Sequence, residues 1–320
     1  MTNHSGSRMK NPWQYIVQLW QWRKARKAER KRRYQQMSFP QKVVAWVRSL
    51  AGAFAVVVIL NGLAIAAFEV PTGSMENTVL AGENLFVNKF IFGPSTPQII
   101  PLFNIPLPYY KLPPLRDPER GDVIVFIYPG DRDEVKAKEF MYYLKRCIAV
   151  AGDTLLIRND SVYVNGVFTP FPDHAKFLPT PDDPSRIFPP GKGWTRSNYG
   201  PLRIPKKGDV IRLSAANFIE WEIFIKREGH DADLRMGQVF IDGKPATSYT
   251  VERDYVFGMG DNRNNSLDSR YWGFIPKEDV VGTPLFVYWS WEKTDLNGNP
   301  LSLGKRLARI RWSRLGTIVR

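Results

Sequence analysis

The stretch KEFMYYLKRCIAVAGD, Lys138 to Asp153, alternates its side chains with a period of two around Lys145. A period of two is typical of a β-strand, in which every second residue lies on one face. The residues that share the face of Lys145 are Met141, Tyr143, Cys147 and Ala149. A lysine on such a face either extends to water at a sheet edge or is buried, and burial disfavours its charged form. The stretch therefore predicts a strand with either a surface lysine or a candidate base.

Strand patterns also flank this stretch. ENLFVNKFIF (83–92) and DVIVFIYP (122–129) are rich in aromatic and β-branched residues. TLLIRNDSVYVNGVF (154–168) predicts a hairpin that turns at residues 158–160, with a second turn at Asn165-Gly166. Residues 209–229 can supply one helix. We therefore predict a mainly β fold.

An uncharged run, LAGAFAVVVILNGLAIAAF, extends from Leu50 to Phe68. At about 1.5 Å per residue, a helix of this length is roughly as long as a bilayer's hydrocarbon core is thick. The alternative is a cleavable signal peptide, which has a shorter apolar core and a short basic leader. The leader here is long, and no clear small-x-small site follows the run. These features favour one transmembrane helix.

Basic residues are concentrated before this run. The chain has a net charge of +14, and residues 1–49 contain twelve Lys or Arg and one acid, Glu29. The near-neutral remainder argues against a nucleic-acid binder. Basic residues before a span predict a cytoplasmic N-terminus and an extracytoplasmic body after about Glu69. The segment contains either an interfacial helix or a disordered basic tail, and the helical spacing is seen at Trp13, Ile16, Val17 and Trp20.

The turn VPTGSMENTVL (70–80) places Ser74 shortly after the apolar run. A serine nucleophile needs a base. The three histidines give no sign of a Ser-His-Asp triad. His4 lies before the predicted span, and His174 and His230 lie in polar, loop-like segments. A free lysine, with a pKa of about 10.4, stays protonated at neutral pH, so a catalytic lysine must be desolvated. Lys145 is the candidate.

Metal and cofactor sites are not indicated. The single cysteine, Cys147, excludes an intramolecular disulfide and a thiolate metal cluster, and no His, Cys and Asp residues have ligand spacing. We expect neither a metal nor a cofactor.

A polar run, GDNRNNSLDSRYWGFIP (260–276), combines acids and arginines with asparagines and serines. A polar segment of this kind usually forms an exposed loop. The alternative is a buried polar network, which can satisfy its own hydrogen bonds and orient a neutral lysine. The sequence alone leaves both readings open.

Together these stretches resemble the type I signal peptidases, the membrane-bound serine proteases that remove signal peptides from exported preproteins. PTGSMENTVL resembles their nucleophile box, RGDVIVF the strand that follows, and YYLKRCIAVAGD the lysine box. The polar run resembles the last box, and the order of the boxes after an apolar helix also fits. The resemblance implies a β-rich catalytic body that acts through a Ser-Lys dyad.

The resemblance also implies roles for individual residues. Ser74 would be the nucleophile and Lys145 the general base. The Thr72 hydroxyl and the Ser74 N–H would form the oxyanion hole, and Ser266 would hydrogen-bond to the lysine. The supporting ion-pair positions are Asp268, Arg270 and Arg146, whereas the residues expected to be structural are Asp261 and Arg263.

We therefore predict a mainly β, signal-peptidase-like catalytic body preceded by one transmembrane helix, with a β-rich inserted subdomain. The predicted segments are the basic segment 1–49, the helix 50–68, the catalytic parts 69–153 and 255–320, and the inserted subdomain 154–254. The expected location is the bacterial inner (cytoplasmic) membrane, with the catalytic body in the periplasm and the chain a monomer.

The expected partners are preprotein signal peptides and membrane lipid, without nucleic acid. A substrate would pair as an added strand beside residues 139–144 and be cut after Ala-x-Ala. Two other classes remain open. A self-cleaving repressor-type protease also uses a Ser-Lys dyad but has no membrane span. A non-catalytic membrane-anchored scaffold could share the fold.

Overall fold

The structure is a computed structural model. The residues that it describes are 12–63, 65–96, 99–100, 105–106, 108, 110–173, 175–177, 184–295 and 298–320. The chain divides into two compact units, Met1–Val58 and Ile59–Arg320.

Two long helices begin the described chain, α1 (Pro12–Gln36) and α2 (Phe39–Leu63). The strands that follow are β1 (Ile65–Glu69), β2 (Glu83–Asn88), β3 (Ile99–Ile100), β4 (Ile105–Pro106), β5 (Val123–Ile127), β6 (Tyr142–Val150), β7 (Thr154–Arg158), β8 (Ser161–Val164), β9 (Val167–Thr169), β10 (Tyr199–Arg203), β11 (Val210–Arg212), β12 (Ala232–Arg235), β13 (Gln238–Ile241), β14 (Lys244–Pro245), β15 (Ser248–Thr250), β16 (Tyr255–Met259), β17 (Ile275–Pro276) and β18 (Val280–Ser290). The shorter helices are α3 (Phe218–Arg227), α4 (Ser269–Trp272) and α5 (Leu303–Ala308). Short 3₁₀ turns lie at Pro184–Arg186, Lys277–Asp279 and Trp312–Arg314.

The turn at residues 70–80, which carries Ser74, is the predicted nucleophile turn. The apolar run before it is not one continuous helix. Helix α2 ends at Leu63, so the predicted helix end at Phe68 is wrong. Residues Ile65–Glu69 form β1 instead, because their backbone pairs with Asn84–Asn88 of β2. Across the described residues, no helix combines the length and the apolar character that a membrane span requires.

The mainly β prediction is confirmed. Within the described residues, seven strands form one antiparallel sheet in the order β1-β2-β18-β5-β6-β16-β17. Alternate residues of β5 enter two apolar clusters: Val123 and Val125 join one, and Ile124 and Phe126 join the other. Both faces of this strand are therefore buried, which explains its uninterrupted apolar run.

The region 154–254 contains smaller sheets and α3. The predicted hairpins form: Asn159 and Asp160 have φ of 46° and 64°, and Asn165 and Gly166 have φ of 54° and 80°. These left-handed pairs match the twist of two-residue hairpin turns. One apolar cluster joins Leu155 and Phe224 of this region to Phe257 of β16, so the region shares a core with the large sheet. The predicted subdomain boundaries stay a prediction.

A β-bulge interrupts the alternation of β6. Cys147 pairs with Gly258 and Ala149 with Phe257, so Ile148 is an extra residue on β6. A bulge moves the residues beyond it to the opposite face. Cys147 packs in one apolar cluster and Ala149 in another, so the prediction that Ala149 shares the face of Lys145 is wrong.

Glu83, at the start of β2, is a fully buried carboxylate. It accepts hydrogen bonds from Arg314 Nε at 2.6 Å and Arg314 Nη2 at 3.0 Å, and from the Leu80 N–H at 2.9 Å and Ser290 Oγ at 3.2 Å. The Arg314 guanidinium therefore neutralises the buried charge of Glu83 beside the nucleophile turn.

We expect the Arg314→Met variant to lose about 2–4 kcal/mol of unfolding free energy, because Glu83 would stay buried without its cation. Urea unfolding of the purified chain measures the change. The matched control is Arg309→Met, whose pair with Glu292 is half exposed and should contribute less than about 1 kcal/mol. Equal effects of the two substitutions would contradict the prediction.

Candidate active site

Ser74 and Lys145 lie in hydrogen-bond contact. Ser74 belongs to the turn between β1 and β2, and Lys145 lies on β6. Lys145 Nζ donates to Ser74 Oγ at 2.7 Å. The two residues that the sequence singled out as nucleophile and base are therefore brought together by the sheet.

Lys145 is almost fully buried, with 3% of its surface exposed. Burial lowers the pKa of its ammonium group from 10.5 to about 8. The carboxylates of Asp268 and Asp261 oppose this shift, and the Arg270 guanidinium adds to it. The sheet-edge alternative for Lys145 is thereby excluded.

Ser74 and Lys145 lie in the wall of a groove of about 680 Å³. Thr72 also lines the groove, and its Oγ1 lies 3.5 Å from Ser74 Oγ. Residues from β1, β2, β5 and the start of β6 supply apolar lining: Phe68, Leu85, Val125, Tyr142 and Leu144. The groove thus has an apolar floor that leads to two hydroxyl groups and an amine.

The polar run 260–276 is a buried network and not an exposed loop. Arg146 Nε and Nη2 donate to the Asp261 carboxylate at 2.8 and 2.7 Å, and Thr78 Oγ1 donates to it at 2.6 Å. Arg270 Nε and Nη2 both donate to Asp268 at 2.8 Å. The three ion-pair positions that the resemblance indicated thus belong to two separate pairs, in which Asp261 is the partner of Arg146.

Asp268 and Arg270 are buried together. Burial favours the neutral acid, but the Arg270 guanidinium and the Gly260 N–H hold the pKa of Asp268 below its usual range. Asp268 also caps α4 by accepting from the Arg270 N–H at 3.2 Å. The pair therefore fixes the loop that carries Asp268.

Ser266 and Arg263 are buried, but they have fewer hydrogen-bond partners than Asp268 and Arg270. Ser266 lines the groove, yet its Oγ has no hydrogen-bond partner among the described residues, so the expected bond to Lys145 is not formed. It packs instead against Gly260. Burial lowers the pKa of Arg263 to about 10, and its side chain lies over the Phe171 ring at 5.4 Å.

The sequence did not indicate the contacts that hold the nucleophile turn. The Asn262 N–H donates to the Ser74 carbonyl at 3.1 Å, and Asn262 Nδ2 donates to the Gly73 carbonyl at 3.0 Å and to Glu76 Oε2 at 3.2 Å. Lys176 Nζ lies 3.0 Å from Glu76 Oε2. Nothing in the polar run distinguishes Asn262 from its asparagine neighbours, and Lys176 lies in a weakly patterned region.

The histidines do not contribute to the described site. His230 bridges Asp242 at 2.7 Å and Glu252 at 2.9 Å and does not line the groove. His4 and His174 lie outside the described residues. Among the residues that the structure describes, no group of three His, Cys, Asp or Glu side chains is placed to hold a metal ion.

Comparison with known proteins shows the family of this chain. The family model described as "Signal peptidase, peptidase S26" matches residues 43–289. The chain belongs to this family. It is 28% identical over 305 residues to signal peptidase I of Helicobacter pylori strain J99, covering 87% of this chain and 94% of that protein. It is also 26% identical to signal peptidase I of Pseudomonas aeruginosa, and this match covers 81% of this chain and 76% of that protein.

A crystal structure of a signal peptidase I from Enterococcus faecalis is also similar. Its sequence is 24% identical, and the match covers 52% of this chain and 97% of that chain with a TM-score of 0.24. A TM-score this low carries no information about the fold. Membership of the family makes the chain a serine peptidase and assigns it, at the family level, to signal-peptide removal.

Gly260 contacts both the nucleophile turn and Ser266. A Cβ at this position would overlap Ser266 Oγ and the Ser74 carbonyl oxygen. We expect Gly260→Ala to reduce cleavage by about 10²-fold, because small displacements of reacting atoms cost that much. The rate of preprotein cleavage measures the effect. Gly304→Ala is the control, since its Cβ would meet no atom within 4 Å, and an unaltered rate in Gly260→Ala would contradict the prediction.

Proposed function

We propose that the chain removes N-terminal signal peptides from exported preproteins, with Ser74 as the nucleophile and Lys145 as the general base. The observation that carries the proposal is the 2.7 Å distance between Ser74 Oγ and a buried amine whose pKa is about 8. At pH 7 about one such amine in ten is neutral, and at pH 8 about half are neutral. A neutral amine can accept a proton.

Acylation begins when Ser74 Oγ attacks the scissile carbonyl carbon and its proton passes to Lys145 Nζ. The carbonyl oxygen becomes an oxyanion, for which the Ser74 N–H and the Thr72 hydroxyl are the proposed donors. The intermediate collapses when the C–N bond breaks and Lys145 gives the proton to the leaving amine. The signal peptide is then esterified to Ser74.

Deacylation repeats these steps with water. Neutral Lys145 accepts a proton from the water that attacks the ester carbon, and the Ser74 oxygen leaves with a proton returned by the lysine. Both half-reactions therefore need the same neutral amine.

The proposed substrate lies extended in the groove. The edge strand β1 and the start of β6 both line it, which supports pairing of the substrate backbone beside residues 139–144 and the residues before Ser74. The apolar lining near Ser74 supports uncharged side chains before the cut. We propose that small side chains fit there, as in an Ala-x-Ala site.

We further propose that residues 50–63 anchor the peptidase in the inner membrane, because they carry no charge and follow a strongly basic segment. We expect the chain to stay in the membrane pellet after alkaline carbonate washing. A double variant, Val56→Arg and Val57→Arg, should appear in the supernatant, since each central Arg costs about 2.5–3.5 kcal/mol on insertion. The control is Val210→Arg on an exposed strand. Recovery of the unaltered chain in the supernatant would contradict anchoring.

The cleavage rate should rise with pH through a midpoint near 8, because the base is active only when neutral. We expect Lys145→Ala to lose at least about 10³-fold in kcat and Ser74→Ala to be inactive. The assay uses the purified chain in detergent, with a preprotein that carries Ala-x-Ala and a second in which Phe replaces the alanine before the cut. Lys244→Ala, an exposed lysine, is the control. Cleavage by Lys145→Ala at the unaltered rate would exclude the dyad.

A further inference from the structure

The orientation of one peptide group decides where the Ser74 N–H points. The Gly73–Ser74 peptide is trans, so its carbonyl oxygen and its N–H point in opposite directions. The groups that bind the Gly73 carbonyl therefore determine the direction of the Ser74 N–H. A displaced N–H could not donate to an oxyanion, even with Ser74 Oγ in place.

The Gly73 carbonyl accepts two hydrogen bonds. One comes from the Glu76 N–H at 3.0 Å, within the turn itself. The other comes from Asn262 Nδ2 at 3.0 Å, from the loop after β16. Rotation of the peptide would break both bonds, so the two donors together hold the carbonyl on the side away from the N–H.

Asn262 is fully buried, and its other contacts agree with this assignment. The atoms that its amide approaches, the Gly73 carbonyl oxygen and the Glu76 carboxylate, can only accept hydrogen bonds, so the amide nitrogen must face them. The Asn262 N–H also donates to the Ser74 carbonyl at 3.1 Å. One residue thus binds the peptide groups on both sides of the nucleophile.

Lys176 supports Asn262 from the other side. The Lys176 N–H donates to the Asp261 carbonyl at 2.9 Å, and its carbonyl accepts from the Arg263 N–H at 2.8 Å. Its Nζ lies 3.0 Å from the same Glu76 oxygen that accepts from Asn262. The segment 175–177 therefore holds Asn262 by its backbone and by a shared carboxylate.

We propose that Asn262 is a positioning residue for the oxyanion hole, and that the Lys176–Glu76 pair holds it in place. Asn262 binds the Gly73 and Ser74 carbonyls and thereby directs the Ser74 N–H toward the developing oxyanion. The proposal rests on the function proposed above, in which Ser74 N–H is an oxyanion donor. It adds a role for Lys176, which belongs to the region between the two catalytic segments.

The test compares Asn262→Ala and the isosteric Asn262→Asp with the unaltered full chain in detergent. We expect kcat for the preprotein to fall by about 10- to 10²-fold in Asn262→Ala while KM stays within about twofold. Asn262→Asp should lose more, because an oxygen would face the Gly73 carbonyl. In Asn262→Ala the pH midpoint near 8 should not move, since the substitution neither adds nor removes a charge near Lys145.

Two matched ligands separate positioning from a merely structural role. A peptide aldehyde ending in Ala-x-Ala adds to Ser74 and forms an oxyanion, whereas the corresponding peptide alcohol cannot. The aldehyde should lose affinity by the same factor as kcat, and the alcohol should bind as before. In Asn262→Ala, equal losses for both ligands, a shifted pH midpoint, or a kcat that does not change would overturn the proposal.

A second variant keeps the proposal testable if the asparagine variants do not fold. Lys176→Met should lower kcat about two- to fivefold in the same pattern, because its pair with Glu76 is partly exposed. Lys192→Met removes a comparable pair with Glu220 away from the groove and should leave kcat unchanged. If the unaltered chain does not cleave at all, the proposed function fails; if it cleaves and Lys176→Met matches Lys192→Met, the proposal that the Lys176–Glu76 pair holds Asn262 in place is overturned.

Discussion

The site depends on a buried amine with a moderated pKa. Burial alone can lower the pKa of a lysine by several units, which would leave a weak base. Two unpaired carboxylates nearby would instead keep the amine protonated. In this protein Asp261 and Asp268 raise the pKa of Lys145, but each is also bound to an arginine, and the result is about 8. Burial, the two carboxylates and the Arg270 guanidinium therefore act together on the pKa of Lys145.

The antiparallel sheet meets this requirement by bringing three distant segments together. Lys145 lies on β6 between β5 and β16, where both faces of the sheet are buried. The turn with Ser74 follows the edge strand β1, and the loop with both acids follows β16. Buried ion pairs contribute little net stability, and losing one partner is costly. Their arrangement around Lys145 is therefore better explained by its effect on the pKa of this lysine than by folding stability.

Local features of the fold could be predicted from the sequence, and non-local ones could not. The turn at Asn165–Gly166 depends only on residues that tolerate left-handed backbone, and it forms as expected. The bulge at Ile148 arises from pairing with β16, so alternation alone misplaced Ala149. Arg146 and Asp261 are 115 residues apart, and the polar run gave no sign of which acid pairs with which base. Ser74 and Lys145 were indicated because the strand pattern and the family resemblance agreed.

The nucleophile turn needs hydrogen bonds to fix it because it lies at an open groove. A turn beside solvent cannot be fixed by apolar packing on every side, and here Met75 and Val79 are buried beneath it while Ser74 remains partly exposed. The turn must then also be fixed by directional bonds, which constrain rotation of a peptide group. Asn262 supplies such bonds, and Lys176 ties them to the region 154–254. That region also shares an apolar cluster with β16. It is therefore structurally continuous with the large sheet, and changes in it can reach Ser74 through a few hydrogen bonds.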